Sequence, residues 1–390
     1  MNKVYLDNAA TTPIAEEVID VMVDVMKLNY GNPSSTHSFG QEAKTSIESV
    51  RRKVADYLKV SPGEIIFTSC GTESNNMIIK SCVAHLGVER IITSPMEHKC
   101  VAEAVRDIKM RKGVEVVYLR PNEKGEISLE KLEELLKSSD KKTLVSLMHA
   151  NNEIGNILDI EAVGNICKEN GALFHSDTVQ TIGHLDLDFS KINIDFASCS
   201  AHKFHGPKGS GFAYISKSAR LKGIILGGTQ ERELRAGTEN VCGIIGLGKA
   251  LELSMENLDK YSNYIQGIKD YTIKSLQEAI PGIKFNGMSA EKENSLYTLV
   301  SALLPFKNPL IGLQLDMKGI AISQGSACSS GAAKPSMVMM MILDDEELET
   351  STPLRISFSH LTTKEDIDYF VDALSEISAK SIEKTNIEHR

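Results

Sequence analysis

The densest group of reactive side chains is Ser200-Ala201-His202-Lys203-Phe204-His205-Gly206-Pro207-Lys208-Gly209, directly after an apolar, strand-like run. An isolated lysine in a turn is ordinarily a solvated charge, and His202 and His205 have no third ligand near them in sequence for zinc. The setting of Lys203 points elsewhere. An amine at the end of a buried strand is partly desolvated, which favours its neutral form. A neutral amine captures an aldehyde as a Schiff base.

Use of pyridoxal 5'-phosphate requires more: an acid to hold the ring nitrogen protonated, donors for the phosphate, and a surface against the ring. Asp177 follows the apolar run Ala172-Leu173-Phe174-His175-Ser176, at the carboxyl end of a strand, where open α/β sheets bind ligands. Gly71-Thr72 lies between a strand and a helix, where free N–H groups and the helix dipole receive phosphate. His98 opens another helix after a strand and is placed to stack on a ring or shuttle a proton. Taken singly, Asp177 and Thr72 read better as structural caps than as cofactor residues. Corresponding strand ends supply all of these residues, and that favours a cofactor site.

Cys328 lies in the small-residue segment Gln324-Gly325-Ser326-Ala327-Cys328-Ser329-Ser330-Gly331. Two readings stay open on composition: a linker with an incidental cysteine, or a thiol free to travel between a substrate and an acceptor.

The elements that would position these groups alternate. Strand-like runs at 64–68, 90–93, 115–119, 143–147 and 172–175 are separated by helical segments near 99–111, 128–138 and 159–169. That order predicts an α/β fold with a mostly parallel sheet covered by helices on both faces. Strands at 195–199 and 211–215 flank the lysine turn. A single long helix over about 238–280 is expected to connect to a smaller α/β domain, with strands at 296–302, 321–323 and 354–358 and helices at 310–317 and 363–383. The polar tail after about 384 is expected to fray.

Composition excludes several classes. The chain has 390 residues, 42% hydrophobic and 24% charged, which suits two or three folding units and not wholesale disorder. Lys plus Arg is 43 against 52 Asp plus Glu, a net charge of −9, so neither nucleic acid nor an anionic membrane is an expected partner. No apolar run reaches the roughly 18 residues of a membrane span. Met1-Asn2-Lys3-Val4-Tyr5 lacks the apolar core of a signal peptide, so a cytoplasmic protein is expected. Seven cysteines without a C-x-x-C pair give neither a disulfide framework nor a close-spaced zinc site. Walker-type, G-x-G-x-x-G and H-E-x-x-H motifs are absent from the sequence.

Over nearly its whole length the sequence resembles the cysteine desulfurases of the NifS/IscS type, within the class V aminotransferase branch of fold-type I pyridoxal phosphate enzymes. The resemblance runs through YLDNAATTP at 5–13, GNPSSTH at 31–37, FTSCGTESNN at 67–76, MEHK at 96–99 and NNEIG at 151–155. It continues through HSDTVQTIG at 175–183, SAHKFHGPKG at 200–209, RAGTENV at 235–241, GSACSSG at 325–331 and LRISFS at 354–359. It implies a large cofactor domain over 15–259 and a small domain over 260–390 joined by 1–14.

By the same resemblance, Lys203 would hold the cofactor, Asp177 would face the pyridine nitrogen, and Gln180 the phenolic oxygen. Gly71, Thr72, Ser200 and His202 would cradle the phosphate, with Thr238 supplied by the other subunit of a homodimer. His98 would stack on the ring and act as acid and base. Asn152, at the cofactor, and Arg355 would grip the substrate carboxylate, Arg355 as a two-pronged donor. Cys328 would take sulfur from L-cysteine as a persulfide, leaving L-alanine, and pass it to an acceptor protein of an iron–sulfur or thiolation pathway. No resident metal is implied, only a transient contact of Cys328 with an iron–sulfur cluster. The alternatives are a selenocysteine lyase or other class V aminotransferase, and a catalytically silent dimeric scaffold.

The sequence departs from the family pattern at Gly227-Gly228-Thr229-Gln230-Glu231-Arg232-Glu233, where a more glycine-rich run is usual, at 304–309 and at Ser359-His360. The helix after the cysteine segment is unusually methionine-rich at 338–341, and Cys100 stands where alanine or valine is common.

Overall fold

A computed structural model of the chain describes residues 3–324 and 335–388, with side chains placed as far as Ser381. The chain enters through a short strand, β1 (Val4–Tyr5), and two helices, α1 (Glu16–Leu28) and α2 (Ser38–Leu58). An alternating unit follows: β2 (Ile65–Thr68), α3 (Gly71–His85), β3 (Arg90–Thr93), α4 (Lys99–Lys112), β4 (Glu115–Tyr118) and α5 (Leu129–Lys137). It continues with β5 (Thr143–Ser146), α6 (Ile160–Glu169), β6 (Leu173–Asp177), β7 (Phe196–Ser200) and β8 (Gly211–Ile215). These strands form one 7-stranded sheet in the order β2-β8-β7-β6-β5-β3-β4. Only β8 runs against its neighbours, pairing antiparallel with both β2 and β7.

Strand alternation explains why both faces are covered. On β2, Ile65 and Phe67 join the core shared with α2, whereas Ile66 between them packs with Met77, Ile78 and Cys82 of α3. Ile92 and Val145 belong to the first core, and Ile91 and Leu144 to the second. Successive side chains point to opposite faces, so a strand apolar at every position must be buried on both.

The helical stretch predicted as one element is two, α7 (Val241–Glu256) and α8 (Leu258–Ala279). Asn257 ends the first: its Nδ2 donates to the Leu253 carbonyl at 2.9 Å, as a C-terminal cap does. The smaller unit contains β9 (Lys284–Phe285), β10 (Leu299–Leu304), α9 (Ile311–Asp316), β11 (Ile320–Ala321), α10 (Met337–Ile342), α11 (Asp345–Thr350), β12 (Thr352–Ser357) and α12 (Lys364–Glu388). β12, β10 and β9 form an antiparallel sheet, and β11 pairs with β1. Val4 and Leu6 lie in this unit's core beside Ile265, Val300, Ile356 and Phe370, so the amino terminus crosses from one unit to the other. The last helix continues to Glu388, past the residue where the polar tail predicted fraying.

Candidate active site

The carboxyl ends of β2, β3, β5, β6 and β7 converge on one cleft, and each delivers a residue to it. Asp177 is the last residue of β6 and sits opposite Ser198 of the parallel β7. Three residues past the end of β7, Lys203 closes a short 3-10 turn, Ala201–Lys203. Its amine donates to the carbonyls of Ala9 at 2.6 Å and Ala10 at 2.8 Å. Burial, with Arg355 adding repulsion, lowers its pKa to about 8, while Asp177 and Asp7 pull the other way. The expectation of a partly neutral amine rests here on a physical cause.

The segment 8–15 is laced over this turn. Thr12 N–H donates to the His202 carbonyl, His205 N–H donates to Thr12 Oγ1, and Gln180 Nε2 donates to the Ala9 carbonyl. His205 adopts φ 64°, the left-handed region, at the point where the chain leaves the lysine turn. His202 Nδ1 lies 3.1 Å from Thr11 Oγ1, and burial plus Lys203 lowers its pKa to about 4. Ser200 is buried beside it.

After β2 the chain turns directly into α3, whose cap is Cys70 and whose first residues are Gly71 and Thr72. Thr72 is therefore inside the first turn and is not the cap. A Cβ on Gly71 would lie 2.4 Å from Val179 Cγ2, so glycine lets this helix start approach the loop after Asp177. First-turn N–H groups have no partner within their own helix, which suits them to a phosphate.

Asp177 is held by a chain of polar groups. Asn75 Nδ2 donates to Asp177 Oδ2 at 2.7 Å, and the Val179 N–H donates to Oδ1 at 3.0 Å. Because the Asn75 nitrogen is the donor, its Oδ1 must accept from His175 Nε2 at 3.0 Å. His175 Nδ1 then accepts from Ser146 Oγ at 2.8 Å. Burial lowers the pKa of His175 to about 4, in keeping with one neutral tautomer.

His98 caps α4, its Nδ1 accepting from the Cys100 N–H at 3.2 Å. The ring is solvent-accessible at the mouth of the cleft, yet burial by the surrounding chain is the largest influence on it and lowers its pKa; Asp177 opposes that shift. Thr72, His98 and Cys100 line one open recess between α3 and α4.

On the other side, Arg355 of β12 donates from Nη1 to the Asn152 carbonyl at 2.9 Å and from Nη2 to Asp7 Oδ1 at 2.7 Å. Among the described residues its Nε is buried without a partner. Ser323 exchanges backbone hydrogen bonds with Arg355 at 3.3 and 2.9 Å, so the chain leading to the cysteine segment departs beside this guanidinium. Cys328 itself lies outside the described residues. Thr238 is exposed, on a cavity lined also by Ser69, Ser210 and Arg235. The fold thus brings Lys203, Asp177, Arg355 and His98 within electrostatic reach of one another, with Gln180 on the cavity beside Lys203 and Thr72 on the recess beside His98.

Asp7, Asn75 and His175 are functional candidates to which the sequence reading gave no role. All three lie inside motif runs quoted for the resemblance, in YLDNAATTP, FTSCGTESNN and HSDTVQTIG. Among the described residues no group of three or more His, Cys, Asp and Glu could hold a metal ion. No helix among them is long and apolar enough to cross a membrane.

The residues fit pyridoxal phosphate: an amine with lowered basicity, an acid held by neutral donors, and a glycine-opened helix start share one cleft. Comparison with known proteins agrees. The family described as "Aminotransferase class-V" matches residues 4–370. The chain is 41% identical over 380 residues to "Cysteine desulfurase IscS" of Dictyoglomus turgidum, covering 97% of this chain and 95% of that one. It is 40% identical over 380 residues to the protein of the same name from Methanosarcina thermophila, covering 97% and 92%. Among solved structures, a "NIFS-LIKE PROTEIN" superposes with a TM-score of 0.88 at 37% identity, covering 97% of this chain and 100% of that one. "SspA in complex with cysteine" superposes with a TM-score of 0.75 at 32% identity, covering 91% and 99%. The chain belongs to the class V aminotransferase family, in its NifS/IscS-type cysteine desulfurase branch.

Proposed function

We propose that this chain is a cysteine desulfurase that uses pyridoxal phosphate to convert L-cysteine and the Cys328 thiol into L-alanine and a Cys328 persulfide. One sulfur atom moves: the carbon–sulfur bond of the substrate breaks with its electron pair left on carbon, and a sulfur–sulfur bond forms on Cys328. Of the two thiol protons, one ends on the β-carbon, making the methyl group of L-alanine, and one stays on the persulfide. The observation that carries the reading is Lys203, an amine brought to a pKa of about 8 in the same cleft as Asp177. Relatives named as cysteine desulfurases over almost the full length support it.

When bound, the cofactor supplies an aldehyde that captures an amine and a conjugated ring that accepts electrons from the substrate's α-carbon. Lys203 would hold it, and its neutral amine would then take the α-proton of L-cysteine and return a proton. Asp177, fixed by Asn75, would keep the ring nitrogen protonated. Gln180 would meet the phenolic oxygen, and Gly71, Thr72, Ser200 and His202 the phosphate. His98, kept neutral by burial, would stack on the ring and act as acid and base in the reaction. Arg355 and Asn152 would hold the substrate carboxylate.

The proposal includes a division into domains near residue 259, a cytoplasmic location, and a homodimer in which Thr238 reaches the neighbouring phosphate site. Ile19, Val23 and Met26 form an exposed apolar stripe on α1, continued by Leu28 and Tyr30, which suits self-association. The persulfide would pass to an acceptor protein. The test adds L-cysteine to the purified protein and measures alanine and sulfide. Wild type should form both. Cys328→Ala should fail to deliver sulfur while keeping the cofactor's visible absorbance, and Lys203→Ala should lose both. Wild-type sulfide release from Cys328→Ala would refute the role given to that thiol.

A further inference from the structure

We propose that Cys100 is a positioning residue: its sulfur is the shared hydrogen-bond partner of Asn75 and His98 and holds the two in one arrangement, beside Thr72. The inference rests on the reading of Thr72, Asp177 and His98 as cofactor residues and adds a role for a thiol that the reaction does not consume.

The geometry is specific. Cys100 Sγ lies 3.0 Å from His98 Nδ1 and 3.2 Å from Asn75 Nδ2, in the recess that Thr72 also lines. Asn75 uses one amide hydrogen on Asp177, so the sulfur takes the other. The Cys100 backbone N–H can only donate, so His98 Nδ1 is an acceptor and the neutral ring carries its proton on Nε2. The S–H shares His98 Nδ1 with that N–H as an acceptor, and its donation there stabilises the neutral ring further. Burial and the neighbouring Asp177 push the thiol pKa up to about 12, which leaves a hydrogen-bonding S–H and not a nucleophile. Alanine or valine at this position would leave the second Asn75 hydrogen unpaired and remove a donor from His98.

His98 is faced by Asp177 at the end of β6, Lys203 after β7, Glu153 after β5 and Lys99 on its own helix. None of these replaces the sulfur, because a thiol both donates and accepts at hydrogen-bond distance. When His98 gains a proton on Nδ1, the same sulfur can accept from it.

The test uses Cys100→Ser, Cys100→Ala and Cys100→Val. Valine fills the space without hydrogen bonding and so separates lost contacts from lost packing. Histidine-labelled protein without cofactor gives the His98 tautomer and titration by nitrogen NMR, with His98→Gln assigning the signal. The holoenzyme gives the rate of pyridoxal phosphate loss on dilution. Wild type and Cys100→Ser should show the Nε2–H tautomer and similar retention. Cys100→Ala and Cys100→Val should keep the Nε2–H tautomer, which the backbone N–H holds, but show a His98 titration moved to higher pH and cofactor loss about five- to tenfold faster, the scale of one hydrogen bond. A wild-type His98 titration and wild-type retention in Cys100→Ala, or full rescue by valine, would overturn the proposal. The imidazole readout needs no turnover, so it decides the role of Cys100 even if the wild type makes no alanine, a result that would overturn the desulfurase reading alone.

Discussion

Arg355 Nη2 donates to Asp7 Oδ1 across 2.7 Å, tying β12 of the smaller unit to the segment that follows β1. The acid fixes the plane of a guanidinium whose second prong already rests on the Asn152 carbonyl. A pre-oriented fork loses less freedom when it binds a carboxylate. Asp7→Ala should therefore raise KM for L-cysteine about tenfold, with kcat changed less, in steady-state assays of alanine formation. An unchanged KM would show that Arg355 is oriented without Asp7.

Among the described residues, Asn75 is the single side-chain link between Asp177 and the buried His175–Ser146 pair. Asn75→Ala leaves a carboxylate oxygen and an imidazole N–H without partners. The expected cost is about 2 kcal/mol of stability by denaturant titration, together with faster cofactor loss.

Two fully buried histidines set an acid limit on stability. His149, against Thr181, and His175 each have the pKa lowered by burial to about 4 from the ordinary 6.5. The unfolded chain takes up these protons as pH falls below about 6.5, whereas the folded chain refuses them until about 4. Stability present above the upper value is lost across that window, by up to about 3 kcal/mol for each histidine. His149→Gln should flatten the fall in denaturant midpoint over the same range.

Glu231, Arg232 and Glu233 have φ of 44°, 56° and 65°, three successive side-chain-bearing residues in the left-handed region. Glu231 is anchored there by a bidentate pair with Arg51, Nη1 and Nη2 each at 2.8 Å, and by the Phe67 N–H at 2.8 Å. Glu233 stands where the family pattern is richer in glycine. Glu233→Gly should raise stability by about 0.5–1 kcal/mol, the strain relieved less the entropy glycine adds to the unfolded chain. A thermal melt checks it, with Glu233→Ala as the variant that should not gain.

Elements built on long apolar periods were legible in the sequence. β3 and β8 fall on the predicted residues, and the lysine turn and Asp177 lie at the strand ends where composition placed them. What was not legible depends on contacts across the chain. β1 is a two-residue strand whose partner is β11, far along the sequence, so no local pattern marks it. The break at Asn257 comes from one side-chain amide taking a carbonyl, inside a stretch whose apolar spacing continues on both sides. Asp7 and Asn75 are small polar residues whose meaning appears only when Arg355 and Asp177 are brought beside them. Lys203 stood out because its neighbours in sequence are also its neighbours in space.

The most direct test of the account is a single turnover with protein in excess over L-cysteine, followed by mass analysis of the peptide that contains Cys328. One added sulfur atom on Cys328 for each alanine formed, and neither product from Lys203→Ala, is the predicted result. Alanine formed with Cys328 unmodified, or sulfur appearing on another cysteine first, would contradict it.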